Sequence, residues 1–265
     1  MAITSTDKML AEKTDGIGWV TFNNPERRNA ISVDMWQAIP DILGAFNADP
    51  DVRVIVLKGA GDKAFVAGAD ISEFEEKRST TETVASYGKL ASRGFDSFLN
   101  AGKPTIAMVR GYCLGAGLRI ALNCDLRIAA DDTRFAIPAA KLSLGYGIPG
   151  VQRMMDIIGP AFTQEILFTA KQFDAEEALR MGLINRVVPV AELEVQATKL
   201  AEVIARNAPL TVLAAKRTVR ELLRAPGERD LDAASALIRA CTESEDYKEV
   251  RRAFMEKRYP KFQGR

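Results

Sequence analysis

The run Gly111-Tyr-Cys-Leu-Gly-Ala-Gly-Leu-Arg-Ile-Ala-Leu-Asn-Cys-Asp125 constrains the fold more than any other part of the chain. Pro104-Thr-Ile-Ala-Met-Val109 before it is a short apolar run of strand type. Leu118, Ile120, Ala121, Leu122 and Cys124 after it read as a mostly buried helix. The chain must therefore pass from strand to helix through Gly111, Gly115, Ala116 and Gly117. Such a turn leaves backbone N–H groups at the helix start without partners. The helix dipole and the lack of bulky side chains suit those donors to an anionic atom. A second stretch has the same character: the buried strand Val54-Ile-Val-Leu57, then Gly59-Ala-Gly61, then Phe65-Val-Ala-Gly-Ala-Asp70, with Asp70 placed to cap the next element. Alone, each turn is what any tight connection looks like. Together, two N–H donors can hold one carbonyl oxygen, which is the design of an oxyanion hole.

Other elements are read from periodicity and punctuation. Ile17 to Phe22 reads as a strand, and Asn23 to Arg28 as a charged turn. Ser32 caps a helix to about Phe46, with Val33, Trp36, Ile39, Leu43 and Phe46 on one face; Pro40 is expected to kink or break it. Thr80 to Asn100 reads as an amphipathic helix. The charged segment from Ile71 to Ser79 before it is either a lid or a solvated connection. Asp125–Ala130, Thr133–Ala136 and Arg186–Val190 read as strands, and Pro138 to Gly150 as loop-rich. Ile148-Pro149-Gly150 leads into a helix with Val151, Met154, Met155 and Ile158 on one side, Pro160 opens another, and Asp174 caps a third that Gly182 ends. From Glu192 onward the pattern is helical: Glu192–Asn207, Pro209–Arg224, Glu228–Glu243 and Asp246–Arg258.

Composition excludes several chemistries. The chain has no histidine, which removes Ser-His-Asp and Cys-His mechanisms and the commonest zinc ligand, so no metal site is expected. A formal net charge of +1 gives no sign of a nucleic-acid surface. Three cysteines without short paired spacing point to reduced thiols in a cytoplasmic setting. No apolar run approaches membrane-spanning length, so no membrane partner is expected.

The ordered motifs resemble the enoyl-CoA hydratase/isomerase (crotonase) superfamily over nearly the whole length. Trp19-Val-Thr-Phe-Asn-Asn-Pro25 with Arg28-Asn-Ala-Ile31 resembles its N-terminal strand and loop, and Phe65-Val-Ala-Gly-Ala-Asp-Ile71 its first oxyanion loop. Lys103-Pro-Thr-Ile-Ala-Met-Val109 with Gly111-Tyr-Cys-Leu-Gly-Ala-Gly117 resembles the second. Cys124-Asp125, Phe135, Gln152-Arg153 and the run from Ala178 to Pro189 fall in the family's order. The resemblance implies an α/β fold: a spiral of βαβ units over residues 1–190 and a C-terminal helical trimerisation region over 191–265. It implies an acyl-CoA substrate in a homotrimer or dimer of trimers, with coenzyme A as part of the substrate and no permanently bound cofactor. The thioester carbonyl would be polarised by the N–H groups of Ala67 and Ala116. Coenzyme A would be met by Arg27, Arg28 and Ala30, by Ala67, Asp70 and Ile71, and at the C-terminus by Phe254 and Lys257.

Three acidic positions of the family are changed. The two hydratase glutamates fall on Arg119 and Ala139, and a third acid, used by some isomerases, falls on Gly147. A positioned acid or base typically contributes about 10²–10⁴-fold to rate. Arg119 suits a carboxylate on the acyl group, or else pairs with a structural acid such as Asp125 or Glu165. Tyr146 stands where the family's methylmalonyl-CoA decarboxylases carry a tyrosine, while their histidine in the first oxyanion loop is Ala69 here. The residues support three readings. The first is a lyase or isomerase acting on acyl-CoA, hydratase-like by overall similarity, with a malonyl-type decarboxylase as its variant. The second is a non-catalytic acyl-CoA-binding subunit. The third, a dinucleotide site at Gly115-Ala-Gly117, lacks its third glycine, since Ile120 stands there.

Overall fold

The computed structural model describes residues 6–70 and 81–265. Strands β1 (Met9–Thr14) and β2 (Ile17–Phe22) form a hairpin that turns at Asp15 and Gly16, both at positive φ. β2 then pairs in parallel with β3 (Val54–Gly59), and from there the chain repeats one manoeuvre. β3, β5 (Thr105–Val109) and β7 (Leu126–Ala130) lie side by side and parallel in a six-stranded sheet of order β1-β2-β3-β5-β7-β10, with β10 at Arg186–Val188. Each of the three is followed by a short strand, β4 (Ala64–Val66), β6 (Tyr112–Leu114) or β8 (Arg134–Ala136). The short strands keep that order in a second sheet, β4-β6-β8-β9, closed by β9 (Phe173–Asp174). Helices α1 (Val33–Ala48), α2 (Thr81–Leu99), α3 (Ala116–Asn123) and α4 (Ile148–Thr169) make the returns. The α/β spiral expected from the sequence is what forms.

The two faces of the large sheet divide its residues by strand alternation. Ile55, Leu57, Ala107, Val109 and Ala129 join a core with α1, α3 and the aromatic group Phe22, Phe65 and Phe98. Val54, Val56, Ile106, Met108, Ile128 and Ala130 face the other way, onto Leu193, Ala197 and Ala201 of helix α6 (Leu193–Arg206). Burial on both faces is why these strands read as unbroken apolar runs rather than alternating ones.

Two expectations change in detail. Helix α1 runs through Pro40 instead of stopping there. A proline in a helix interior costs about 3 kcal/mol. Burying Met35, Trp36, Ile39, Ile42, Leu43 and Phe46, each worth roughly 1.5–3 kcal/mol, outweighs it. Helix α4 turns sharply at Gly159, with φ 72°, so Pro160 does begin a new segment within it. Helix α5 (Ala175–Arg180) is capped as read: Asp174 accepts from the Glu177 amide, and Glu177 accepts from the Asp174 amide. The charged segment read as lid or connection lies outside the described residues, as does Ile71. Among the described residues no helix is long and apolar enough to cross a membrane. All three cysteines are unpaired.

One carboxylate ties the C-terminal helices to this frame. Asp125 Oδ2 accepts from the Thr105 amide at 2.7 Å, the Thr105 hydroxyl at 2.9 Å and Lys216 Nζ at 2.6 Å. Lys216, on helix α7 (Pro209–Leu223), also donates to the Lys103 carbonyl at 2.6 Å. Burial pushes the Lys216 ammonium down to about 8, against the pull of Asp125. The unfolded chain keeps that proton to about pH 10.5, so it binds more protons than the folded one between these values. Stability should therefore rise with pH across that window by up to about 3 kcal/mol, and fall again as pH drops through 8. Denaturant unfolding of the wild type and Lys216→Met from pH 7 to 10.5 checks this. The expected result is a rise in the wild type relative to the variant; parallel curves would refute it.

Candidate active site

Strands β4, β6 and β8 are parallel neighbours, so the segments that leave their C-terminal ends emerge side by side. The contact between the first two is close. A Cβ on Gly117 would overlap the Val66 carbonyl oxygen, and one on Gly115 would sit 4.0 Å from Gly68 Cα and 3.9 Å from Pro138 Cδ. Gly115 itself holds φ 53° and ψ −110°, which admits the sharp entry into α3. Its amide donates to the Ala136 carbonyl at 2.8 Å. The next amide, that of Ala116, opens α3 and has no acceptor among the described residues.

The facing loop supplies a second donor, but not the one expected. The Ala67 amide donates to the Arg28 carbonyl at 3.1 Å and is not free. Two residues on, Ile31 forms a parallel bridge around Ala69: its amide donates to the Gly68 carbonyl at 2.9 Å and its carbonyl accepts from the Asp70 amide at 3.0 Å. In that pattern the N–H of the intervening residue points away from the partner strand. The Ala69 amide accordingly has no acceptor among the described residues, whereas the Ala67 amide is committed to Arg28. Asn29, which the sequence did not single out, locks this loop. It is fully buried, donates to the carbonyls of Ala60 (2.9 Å) and Ala64 (2.7 Å), and accepts from the Asn24 amide at 3.0 Å.

The residues expected to meet coenzyme A are only partly brought together. Arg27 and Arg28 are exposed on a short turn, Pro25–Arg27, with Arg28 at φ 52° and its guanidinium 5.1 Å from the Tyr112 ring centroid on β6. Arg28 and Lys63 border a cavity of about 250 Å³ between the 25–29 and 60–64 segments. Ala30 is buried beside it. Phe254 is 82 % exposed at the end of helix α9 (Glu245–Met255), which packs on α8 (Leu231–Glu243). Neither Phe254 nor Lys257 meets Arg27, Arg28 or Ala30 within one chain. A cleft of about 770 Å³ lies among the C-terminal charges, where Glu249 and Arg258 pair at 2.5 Å.

Three further positions singled out in the sequence are Arg119, Tyr146 and Ala139. Arg119 lies with its guanidinium 3.9 Å from the Phe95 ring centroid. It does not pair with either acid considered for it: Asp125 engages Lys216, and Glu165 engages Lys171. Burial lowers its pKa while Tyr146 and Asp96 raise it. Tyr146 has a buried hydroxyl with no hydrogen-bond partner among the described residues. Burial pushes that hydroxyl up to about 12, and the Arg119 charge draws it back. Ala139 lies on the turn Pro138–Leu142, packed against the core.

Residues 12–265 match the model of the enoyl-CoA hydratase/isomerase family. A short-chain-enoyl-CoA hydratase of Clostridium acetobutylicum is 36 % identical over 95 % of this chain and 96 % of its own. A crotonyl-CoA hydratase of Syntrophomonas wolfei is 34 % identical over 97 % of this chain and 98 % of its own. The crystal structure of an enoyl-CoA hydratase/carnithine racemase from Magnetospirillum magneticum superposes with a TM-score of 0.93 at 32 % identity, covering 99 % of this chain and 98 % of that one.

The contact between the two turns depends on Gly117 having no side chain. Gly117→Ala should drive a methyl group into the Val66 carbonyl and lower stability by about 1–3 kcal/mol. A denaturant midpoint measures it; an unchanged midpoint would mean the turns are not in contact.

Proposed function

The chain belongs to the enoyl-CoA hydratase/isomerase family, and on that premise we propose that it is an acyl-CoA enzyme of the hydratase type, polarising a thioester carbonyl between the amides of Ala69 and Ala116. The observation that carries this is the pair of facing small-residue turns, each with one uncommitted N–H, at the ends of adjacent parallel strands. Two fixed donors aimed at one oxygen stabilise the charge that collects there when the thioester becomes an enolate. The dipole of α3 adds to the effect at Ala116. Arg28 brings positive charge to the loop that shapes the hole, as coenzyme A phosphates require.

The acyl end of the site sets the terms of the reaction. Arg119, Ala139 and Gly147 leave no carboxylate at the positions expected for acid–base work. Hydration then needs another route for the proton of water. That absence favours a second reading: decarboxylation of a malonyl-type acyl-CoA. There the bond to the carboxylate breaks, CO₂ leaves, and its electron pair becomes the enolate held by the two amides. A proton then returns to carbon. Tyr146, whose buried hydroxyl stays protonated at neutral pH, is its donor.

The coenzyme A site is completed by a second copy of the chain in a homotrimer or dimer of trimers. Val219, Leu222 and Leu223 on α7, Ile238 on α8, and Phe254 and Met255 on α9 are all exposed in the single chain, an apolar surface of the kind subunit contacts cover.

The test is mass-spectrometric turnover of crotonyl-, 3-enoyl- and methylmalonyl-CoA. Gain of water supports the first reading and loss of CO₂ the second. Proline fits the first position of a helix and has no N–H, so Ala116→Pro removes one donor and leaves α3 intact. Turnover should fall about 10²–10³-fold. Turnover that survives this change would overturn the hole.

A further inference from the structure

We propose that the acyl pocket selects acyl-CoA thioesters whose acyl group ends in a second carboxylate, bound by Arg119 and Tyr146. This rests on the thioester site assigned to Ala69 and Ala116. Arg119 lies three residues after Ala116, on the same face of α3. Long side chains on a helix lean toward its N-terminus, so Arg119 reaches back along the face that carries the hole.

Its guanidinium lies over Phe95, with Cζ 3.9 Å from the ring centroid. A cation–π contact uses none of the guanidinium N–H donors, which remain able to bind an anion. No carboxylate of the described residues pairs with them. Asp125 is taken by Lys216 at 2.6 Å and approached by Arg220 at 3.9 Å, and Glu165 by Lys171 at 3.1 Å. Asp96 is exposed and influences Arg119 only electrostatically.

Tyr146 supplies the second, independent observation. Its hydroxyl is buried with no hydrogen-bond partner among the described residues, and its ring lies close against Gly150, where a Cβ would stand 2.7 Å from the ring edge. It lies close enough to Arg119 to feel its charge. A buried unpaired hydroxyl is unfavourable, and a half-buried cation that forms no ion pair is also unfavourable. One ligand group satisfies both. A carboxylate takes the guanidinium fork through two oxygens and a hydrogen bond from the phenol. A plain alkyl chain would bury both groups unpaired and be rejected for that reason.

The experiment compares acyl groups that differ only in their ends: succinyl- with butyryl-CoA, and glutaryl- with valeryl-CoA, by calorimetric titration of the intact protein. In the wild type the dicarboxylic member of at least one pair should bind about tenfold tighter or more. Arg119→Met, which keeps a flexible apolar contact on Phe95, should bring that ratio to about one. Tyr146→Phe should lower it about threefold. Equal wild-type affinities within both pairs would overturn the carboxylate pocket and leave the thioester site standing. A ratio that survives Arg119→Met would overturn the role of Arg119. Failure to bind any of the four thioesters would overturn the thioester site and this inference with it. Should Arg119→Met not fold, the wild-type ratio and Tyr146→Phe decide the matter.

Discussion

The close approach of Gly117 to the Val66 carbonyl holds the candidate site together. Parallel pairing of β4 with β6 sets the two chain segments side by side, and the absence of a side chain at Gly117 lets the helix start reach the neighbouring strand end. The Ile31 bridge orients the Ala69 amide, and this contact brings that loop against the start of α3, where the Ala116 amide lies. The same contact places Arg119, one turn further along the same helix. A larger residue at Gly117 would separate the donors while changing no functional side chain.

Helix α3 is built with unlike ends. Its carbonyl end is saturated: Arg127 donates to the carbonyls of Ala121 (3.3 Å) and Cys124 (2.8 Å), Arg153 donates to that of Leu122 (2.8 Å), and the Asp125–Lys216 pair ties the next residue to α7. Cations at that end also favour the helix dipole. At the amide end, the Ala116 N–H has no acceptor among the described residues. An eight-residue helix has little stability of its own, so it is held by tertiary bonds at one end and remains available at the other.

Much of the fold was legible because its signals are local. Continuous apolar runs marked β3, β5 and β7, and Asp174 marked the start of α5 as its cap. The short strands β4 and β6 were not legible, since three residues carry no periodicity and their pairing is between segments about fifty residues apart. Pro40 does not break α1 because its local penalty is outweighed by how completely the apolar face, which the sequence does show, is buried by the rest of the chain. That the Ala67 amide is committed was not legible for a similar reason. Which amide in the run from Val66 to Asp70 is free depends on Arg28 and Ile31, which arrive from a distant part of the chain and occupy the amides of Ala67 and Asp70.

The sequence by itself determined that a strand turns into a helix through small residues twice, that no imidazole takes part, and that arginine and alanine stand where carboxylates were expected. These are properties of residue type and order. Only the tertiary structure decided which amides are committed, that Arg119 lies over Phe95 with no ion pair among the described residues, and that the Tyr146 hydroxyl is buried with no partner among them. A hydrogen-bonding group is free or committed according to what the rest of the chain brings within about 3 Å of it. No residue carries that information alone.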